Sequence, residues 1–106
     1  MKIFWTDYAK CQLKEIFNYY NLVSTTKTAS SIMDKIMSRP EILLTNKYAG
    51  PEEELLSDRK QNFRHLLIDN YKVIYWVNSA KNRIEISDVF DVRQNPIKMS
   101  RSKNDK

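Results

Sequence analysis

The residues from Phe63 to Pro96 constrain the fold more than any other part of the chain. They contain three short apolar runs, Phe63–Ile68, Tyr71–Asn78 and Arg83–Phe90. These runs are rich in the β-branched and aromatic residues that favour strands. The Asp69–Asn70 pair separates the first two runs, and both residue types tolerate the positive φ angle of a tight hairpin turn. The pattern therefore predicts three consecutive antiparallel strands.

The N-terminal part of the chain predicts a short strand and two helices. Lys2–Trp5 alternates as a strand does, and Thr6 or Asp7 is a suitable N-cap for a helix that runs to about Leu22. The hydroxyl groups of residues 24–26 cap a second helix, which Pro40 should end or kink. The helical stripes are Ala9, Leu13, Ile16, Phe17 and Tyr20, then Ala29, Ile32, Met33 and Ile36.

This order of elements predicts an α+β fold. Two antiparallel helices pack on one face of a small, mainly antiparallel sheet, in the order β-α-α-β-β-β. The first strand either joins the sheet at an edge or lies parallel to one of its members, and the pattern does not choose between them. We also expect single helical turns at Ile42–Leu44 and within Pro51–Leu56.

Length and composition predict one domain over residues 1–96 and a basic, flexible tail over residues 97–106. The net charge of +5 fits a nucleic-acid or acidic protein partner, although the tail carries much of it. The single glycine excludes a glycine-rich phosphate loop, and no cofactor is expected. One cysteine and one histidine predict no intramolecular disulfide and no metal site, and a cytoplasmic location. No signal peptide or membrane span is expected.

An ordered set of residues from Phe4 to Pro96 resembles the toxins of the RelE/ParE superfamily, from bacterial type II toxin-antitoxin pairs. The shared positions are Trp5, Thr6, Ala9, the Leu13–Tyr20 face, Ala29, Ile36, Gly50, Arg64, Leu66, Tyr71–Tyr75, Val89–Arg93 and Asn95–Pro96. The resemblance implies a protein that stops growth until a cognate antitoxin neutralises it. Toxins similar to RelE cut messenger RNA on the ribosome, whereas toxins similar to ParE block DNA gyrase without cutting RNA.

The ribonuclease alternative needs a proton acceptor, a proton donor and cations around the phosphate. Its candidates are Arg64, His65, Lys72 and Arg93. His65 alternates with Phe63 and Leu67, which favours a hydrogen-bonded structural histidine over a catalyst.

The ParE-like alternative is favoured by the ending Asp91-Val92-Arg93, followed by Asn95-Pro96. Lys72 and Arg93 are then the predicted target-binding residues, and Arg93 should pair with Asp88 or Asp91. A third possibility is a member that keeps antitoxin binding and has lost toxicity.

The predicted antitoxin surface uses aromatic residues outside the core. Tyr8 and Tyr19 lie on the second side of the first helix, and Trp76 lies on the sheet face that also bears Lys72. Such amphipathic aromatics suit a docked peptide segment, bound as a helix in a groove or as an added strand.

Overall fold

The structure, a computed structural model, describes residues 1–93 of the chain. Its elements are β1 (Lys2–Trp5), α1 (Asp7–Val23), α2 (Thr26–Ser38), β2 (Arg64–Ile68), β3 (Tyr71–Asn78) and β4 (Arg83–Asp91). Short 3-10 helices occupy Arg39–Leu44 and Glu54–Leu56. The predicted α+β class is confirmed. The expected Asn95–Pro96 ending and the tail at 97–106 lie outside the described residues.

The four strands form one mixed sheet in the order β1-β4-β3-β2. β1 is an edge strand and pairs in parallel with β4, while the other neighbours are antiparallel. Both placements considered for the first strand are therefore correct at once. The β2–β3 turn is the predicted two-residue break, since Ile68 pairs with Tyr71 and Asp69 has a φ of 54°.

The helices begin where their hydroxyl caps predict. The Thr6 side chain accepts a hydrogen bond from the Ala9 amide at 3.2 Å, and the Thr25 side chain accepts one from the Thr28 amide at 3.0 Å. α2 ends at Ser38, and Pro40 lies in the first turn of the 3-10 helix that follows. Proline is tolerated there because a residue in the first turn of a helix has no intrahelical acceptor for a backbone N–H, the group that proline lacks.

The main core lies between the helices and one face of the sheet. It joins Ala9 and Leu13 of α1 and Ile36 of α2 to Tyr71, Val73 and Tyr75 of β3 and Ile84, Ile86 and Val89 of β4. The opposite face, called here the outer face, carries a second cluster made by Leu56, Phe63, Ile74 and Phe90, against which Trp76 packs.

Residues 50–56, called here the strap, run along the free edge of β2. The Glu53 amide donates to the Phe63 carbonyl at 2.8 Å, and the His65 amide donates to the Pro51 carbonyl at 3.1 Å. A Cβ atom on Gly50 would collide with the backbone carbonyl oxygen of His65, so this position requires glycine for close approach. The strap thereby shields part of an edge strand and fixes the side chains that it carries.

Candidate functional site

A groove between α1 and the end of β4 is a candidate binding surface. It encloses about 350 Å³. We call it the end groove. It is lined by Gln12, Glu15, Ile16, Tyr19, Tyr71, Val89, Phe90, Asp91 and Arg93. Its floor is apolar, while its mouth carries two carboxylates and one guanidinium group.

Arg93 is held at this mouth by Asp91. The Asp91 carboxylate accepts hydrogen bonds from Arg93 Nε at 3.0 and 3.2 Å and from Nη2 at 2.6 Å. It also accepts the backbone N–H of Arg93 at 2.9 Å. These hydrogen bonds from the Arg93 side chain lower the pKa of Asp91 to about 2. The Tyr20 hydroxyl is a second hydrogen-bonding neighbour of Arg93. The Arg93 side chain is nevertheless 69% exposed.

The carboxylate that holds Arg93 belongs to the sheet. Asp91 pairs with Tyr71 across β3 and β4, and the Val92 amide donates to the Asn70 carbonyl at 2.9 Å. The Tyr71 hydroxyl in turn donates to the Tyr20 hydroxyl at 2.9 Å, which ties β3 to α1. Burial raises the pKa of Tyr71, and the hydrogen bond to Tyr20 adds to the rise. This hydrogen bond therefore joins Tyr71, which lines the end groove, to the helix on the other side of the groove.

A second polar cluster lies on the outer face, around the strap. The Glu53 carboxylate is 2% exposed and lies 2.8 Å from Lys72 Nζ and 3.1 Å from His65 Nδ1. Its other oxygen accepts the Leu55 amide at 3.2 Å. Burial lowers the pKa of His65, and the nearby charge of Lys72 lowers it further. At neutral pH the cluster is therefore a buried carboxylate paired with one ammonium group.

Arg64 lies elsewhere, in contact with the first residue of the strap and with Tyr48 just before it. Its Nη1 donates to the Gly50 carbonyl at 2.8 Å, and its guanidinium lies 5.1 Å from the centre of the Tyr48 ring. Arg64 also pairs with Tyr75 across β2 and β3, and Tyr75 belongs to the helix-side core. Neighbouring residues of a strand point to opposite faces, so Arg64 and His65 diverge.

The structure therefore brings together only two of the four ribonuclease candidates. His65 and Lys72 share the outer face through Glu53, whereas Arg64 faces the other side of the sheet. Arg93 lies beyond the end of β4 and is bound to Asp91, on the face that bears Tyr71. Of the two carboxylates expected near Arg93, Asp91 is the one in contact.

Comparison with known proteins identifies the family. Residues 3–96 match the family described as "ParE toxin of type II toxin-antitoxin system, parDE". The chain belongs to the ParE toxin family. A chain of "Chromosomal ParDE TA system from P. aeruginosa" has a similar fold, with a TM-score of 0.71 and 18% sequence identity. The alignment covers 86% of this chain and 95% of that chain. No curated protein gives a significant match.

The aromatic residues predicted to contact an antitoxin divide between two surfaces of this ParE-family toxin. Tyr8 is 39% exposed and Tyr19 58% exposed, both on α1, and Tyr19 lines the end groove. Trp76 lies across the sheet, where its ring packs edge-on against Phe63 with 6.5 Å between ring centres. Tyr19 thus shares a groove with Arg93, which was predicted to contact the target.

Sequence reasoning missed Glu53 and Tyr20 as parts of these sites. A run of three glutamates such as Glu52–Glu54 is typical of a solvated surface segment, and nothing in the run itself indicates that one of them is buried. A usable signal was present, since Lys72 and His65 on one face of a sheet require a carboxylate if that face is covered. Tyr20 was assigned to the core stripe, where its ring does pack while its hydroxyl reaches Tyr71.

Residues 1–93 contain no helix with the length and apolar character needed to cross a bilayer. They also contain no group of three His, Cys, Asp or Glu side chains placed to hold a metal ion. Cys11 is exposed on α1.

Proposed function

We propose that this ParE-family toxin inhibits growth by binding DNA gyrase, and that a cognate antitoxin protein neutralises it. A protein with these two partners acts in the cytoplasm. The observation that supports gyrase binding over RNA cleavage is the state of the cations. Arg64, Lys72 and Arg93 are separated in space, and each is already engaged by a group of the protein itself.

RNA cleavage requires cations that are aimed at the phosphate as negative charge develops on it. The Lys72 ammonium is instead directed to a carboxylate that is 2% exposed. The strap also places Glu52 and Glu54 around Lys72 and His65, in a pocket where their negative charges would repel a phosphate. The end groove has two carboxylates, Glu15 and Asp91, against one guanidinium. Neither site offers a surplus of positive charge to a polyanion.

A protein target requires less of the same residues. Arg93 offers exposed donors beside a groove that also contains aromatic and aliphatic side chains, a combination that is common in protein interfaces. Lys72 contributes to this surface only through the fifth of its side chain that is exposed. We therefore assign the main target contact to Arg93. The antitoxin is proposed to cover α1 at Tyr8 and Tyr19 and, on the outer face, Trp76.

Expression of the chain alone, and together with its cognate antitoxin, tests this proposal in cells. We expect growth arrest only when the chain is expressed alone, with an SOS response and DNA breaks that depend on gyrase. Messenger RNA should keep its normal length. Normal growth with soluble, full-length protein would instead indicate a member that has lost toxicity, and shortened messages without DNA breaks would indicate a ribonuclease.

A further inference from the structure

We infer that Asp91 is a positioning residue for target binding: it holds the Arg93 guanidinium at the mouth of the end groove, where the donors that Asp91 does not use can reach the partner. The inference rests on the proposed function, because Arg93 is the target contact there. Without Asp91, Arg93 would be a mobile side chain on the surface.

Asp91 uses only part of the hydrogen-bonding capacity of the guanidinium. Arginine has five N–H donors in a planar fork. Asp91 occupies the edge formed by Nε and Nη2, through contacts of 2.6 to 3.2 Å. The hydrogen bond from the Arg93 backbone N–H to the same carboxylate fixes the base of the side chain as well. Tyr20 is a further hydrogen-bonding neighbour of the guanidinium. The side chain is still 69% exposed, so donors remain within reach of a partner.

Asp91 is a suitable anchor because it belongs to a strand. It lies in register with Tyr71, its side chain is 15% exposed, and hydrogen bonds from Arg93 keep its pKa near 2, so it is charged at physiological pH. An arginine that is already ordered loses less conformational freedom when a partner binds. The pair therefore prepares the surface for binding before the partner arrives.

The pairing also selects the kind of atom that Arg93 binds. Asp91 compensates the charge of Arg93, and Glu15 adds a negative charge to the same groove. A phosphate or carboxylate of the partner would meet these like charges. A neutral acceptor meets no such repulsion, and a peptide carbonyl is the commonest neutral acceptor on a protein. The inferred ligand of the remaining Arg93 donors is thus a main-chain carbonyl of the target protein.

Four variants test the role of Asp91: Asp91→Asn, Arg93→Lys, Arg93→Ala and the double variant Asp91→Asn/Arg93→Ala. Asp69→Asn is the matched control, since Asp69 forms an exposed ion pair with Lys35 at 3.4 Å, away from the groove. The assays are inhibition of supercoiling by purified gyrase, growth inhibition in cells and the melting temperature of each variant.

We expect Asp91→Asn and Arg93→Lys each to weaken inhibition by about tenfold or more, as loss of a central interface contact does. Arg93→Lys keeps the charge but cannot form the two-point contact with Asp91. Adding Asp91→Asn to Arg93→Ala should change nothing further, because Asp91 acts through Arg93. Full activity of Asp91→Asn or Arg93→Lys would overturn the inference, and so would an additive double variant, which is the result expected if Asp91 only stabilises the fold.

The supercoiling assay and the growth assay together separate this inference from the proposed function. If the parent protein arrests growth without inhibiting gyrase, the proposed target is wrong, and the same variant ratios in the growth assay then decide the role of Asp91. If the parent protein neither arrests growth nor inhibits gyrase, both the proposed function and this inference are overturned.

Discussion

Replacing Lys72 by methionine should remove much of the free energy of unfolding of this protein, although Lys72 is a predicted binding residue. The Glu53 carboxylate, 2% exposed, would lose the ammonium group at 2.8 Å and keep only a neutral imidazole nearby. Removing one partner of a buried ion pair costs about 3–5 kcal/mol, because the other charge stays buried and uncompensated. That is a large share of the roughly 5–15 kcal/mol by which domains are stable.

Urea denaturation followed by circular dichroism measures this loss. With an m-value of about 2 kcal/mol per molar urea, the midpoint should fall by about 2 M. Lys14→Met is the matched control, since Lys14 is exposed on α1 and its replacement should shift stability by less than about 0.5 kcal/mol.

Replacing the other partner of the pair, Glu53, should cost less stability. Glu53→Gln keeps an acceptor for the Leu55 amide, and the flexible stem of Lys72 can carry its ammonium group into water. The double variant Glu53→Gln/Lys72→Met should recover most of the loss, because no buried charge is left. A Lys72→Met protein within about 1 kcal/mol of the parent would refute the reasoning, because it would place Glu53 in contact with solvent.

Three further outcomes follow from the same structure. Because burial lowers the pKa of His65 below its usual 6.5, the unfolded chain binds more protons than the folded one. Stability should therefore be full above about pH 6.5 and fall as the pH is lowered below it, and His65→Gln should remove this part of the pH dependence in thermal melts. Gly50→Ala should cost about 1–3 kcal/mol, since its Cβ meets backbone rather than a movable side chain; an unchanged urea midpoint would contradict this. Deleting residues 100–106 should leave the melting temperature unchanged, because the segment has no large apolar side chain; a large fall would indicate a docked segment.

The sequence was sufficient for the elements of the fold, because each has a clear local signal. Alternation in Tyr71–Asn78 and the caps at Thr6 and Thr25 depend on neighbours in the chain. The position of β1 depends on which distant strand has a free edge, and a four-residue pattern contains no such information. The extra residue in β4, where Ile74 pairs with Asp88 but Tyr75 with Ile86, also left no local signal.

The candidate sites were less predictable because they depend on pairs that are distant in sequence. Arg93 could be singled out, and Asp91 is only two residues away, so their pair was foreseeable. Glu53 and Lys72 are joined only because the strap folds over the sheet. The charge of Lys72 and its place in the Tyr71–Tyr75 match predicted a binding residue, whereas burial of its partner makes it a structural one as well.

Supercoiling by purified DNA gyrase, titrated with the purified chain, is the most direct test of the proposed mechanism. The Arg93→Ala variant with an unchanged melting temperature is the control. Dose-dependent inhibition by the parent protein, and much weaker inhibition by the variant, is the predicted result. Unaffected supercoiling, together with cleavage of messenger RNA on added ribosomes, would contradict the account.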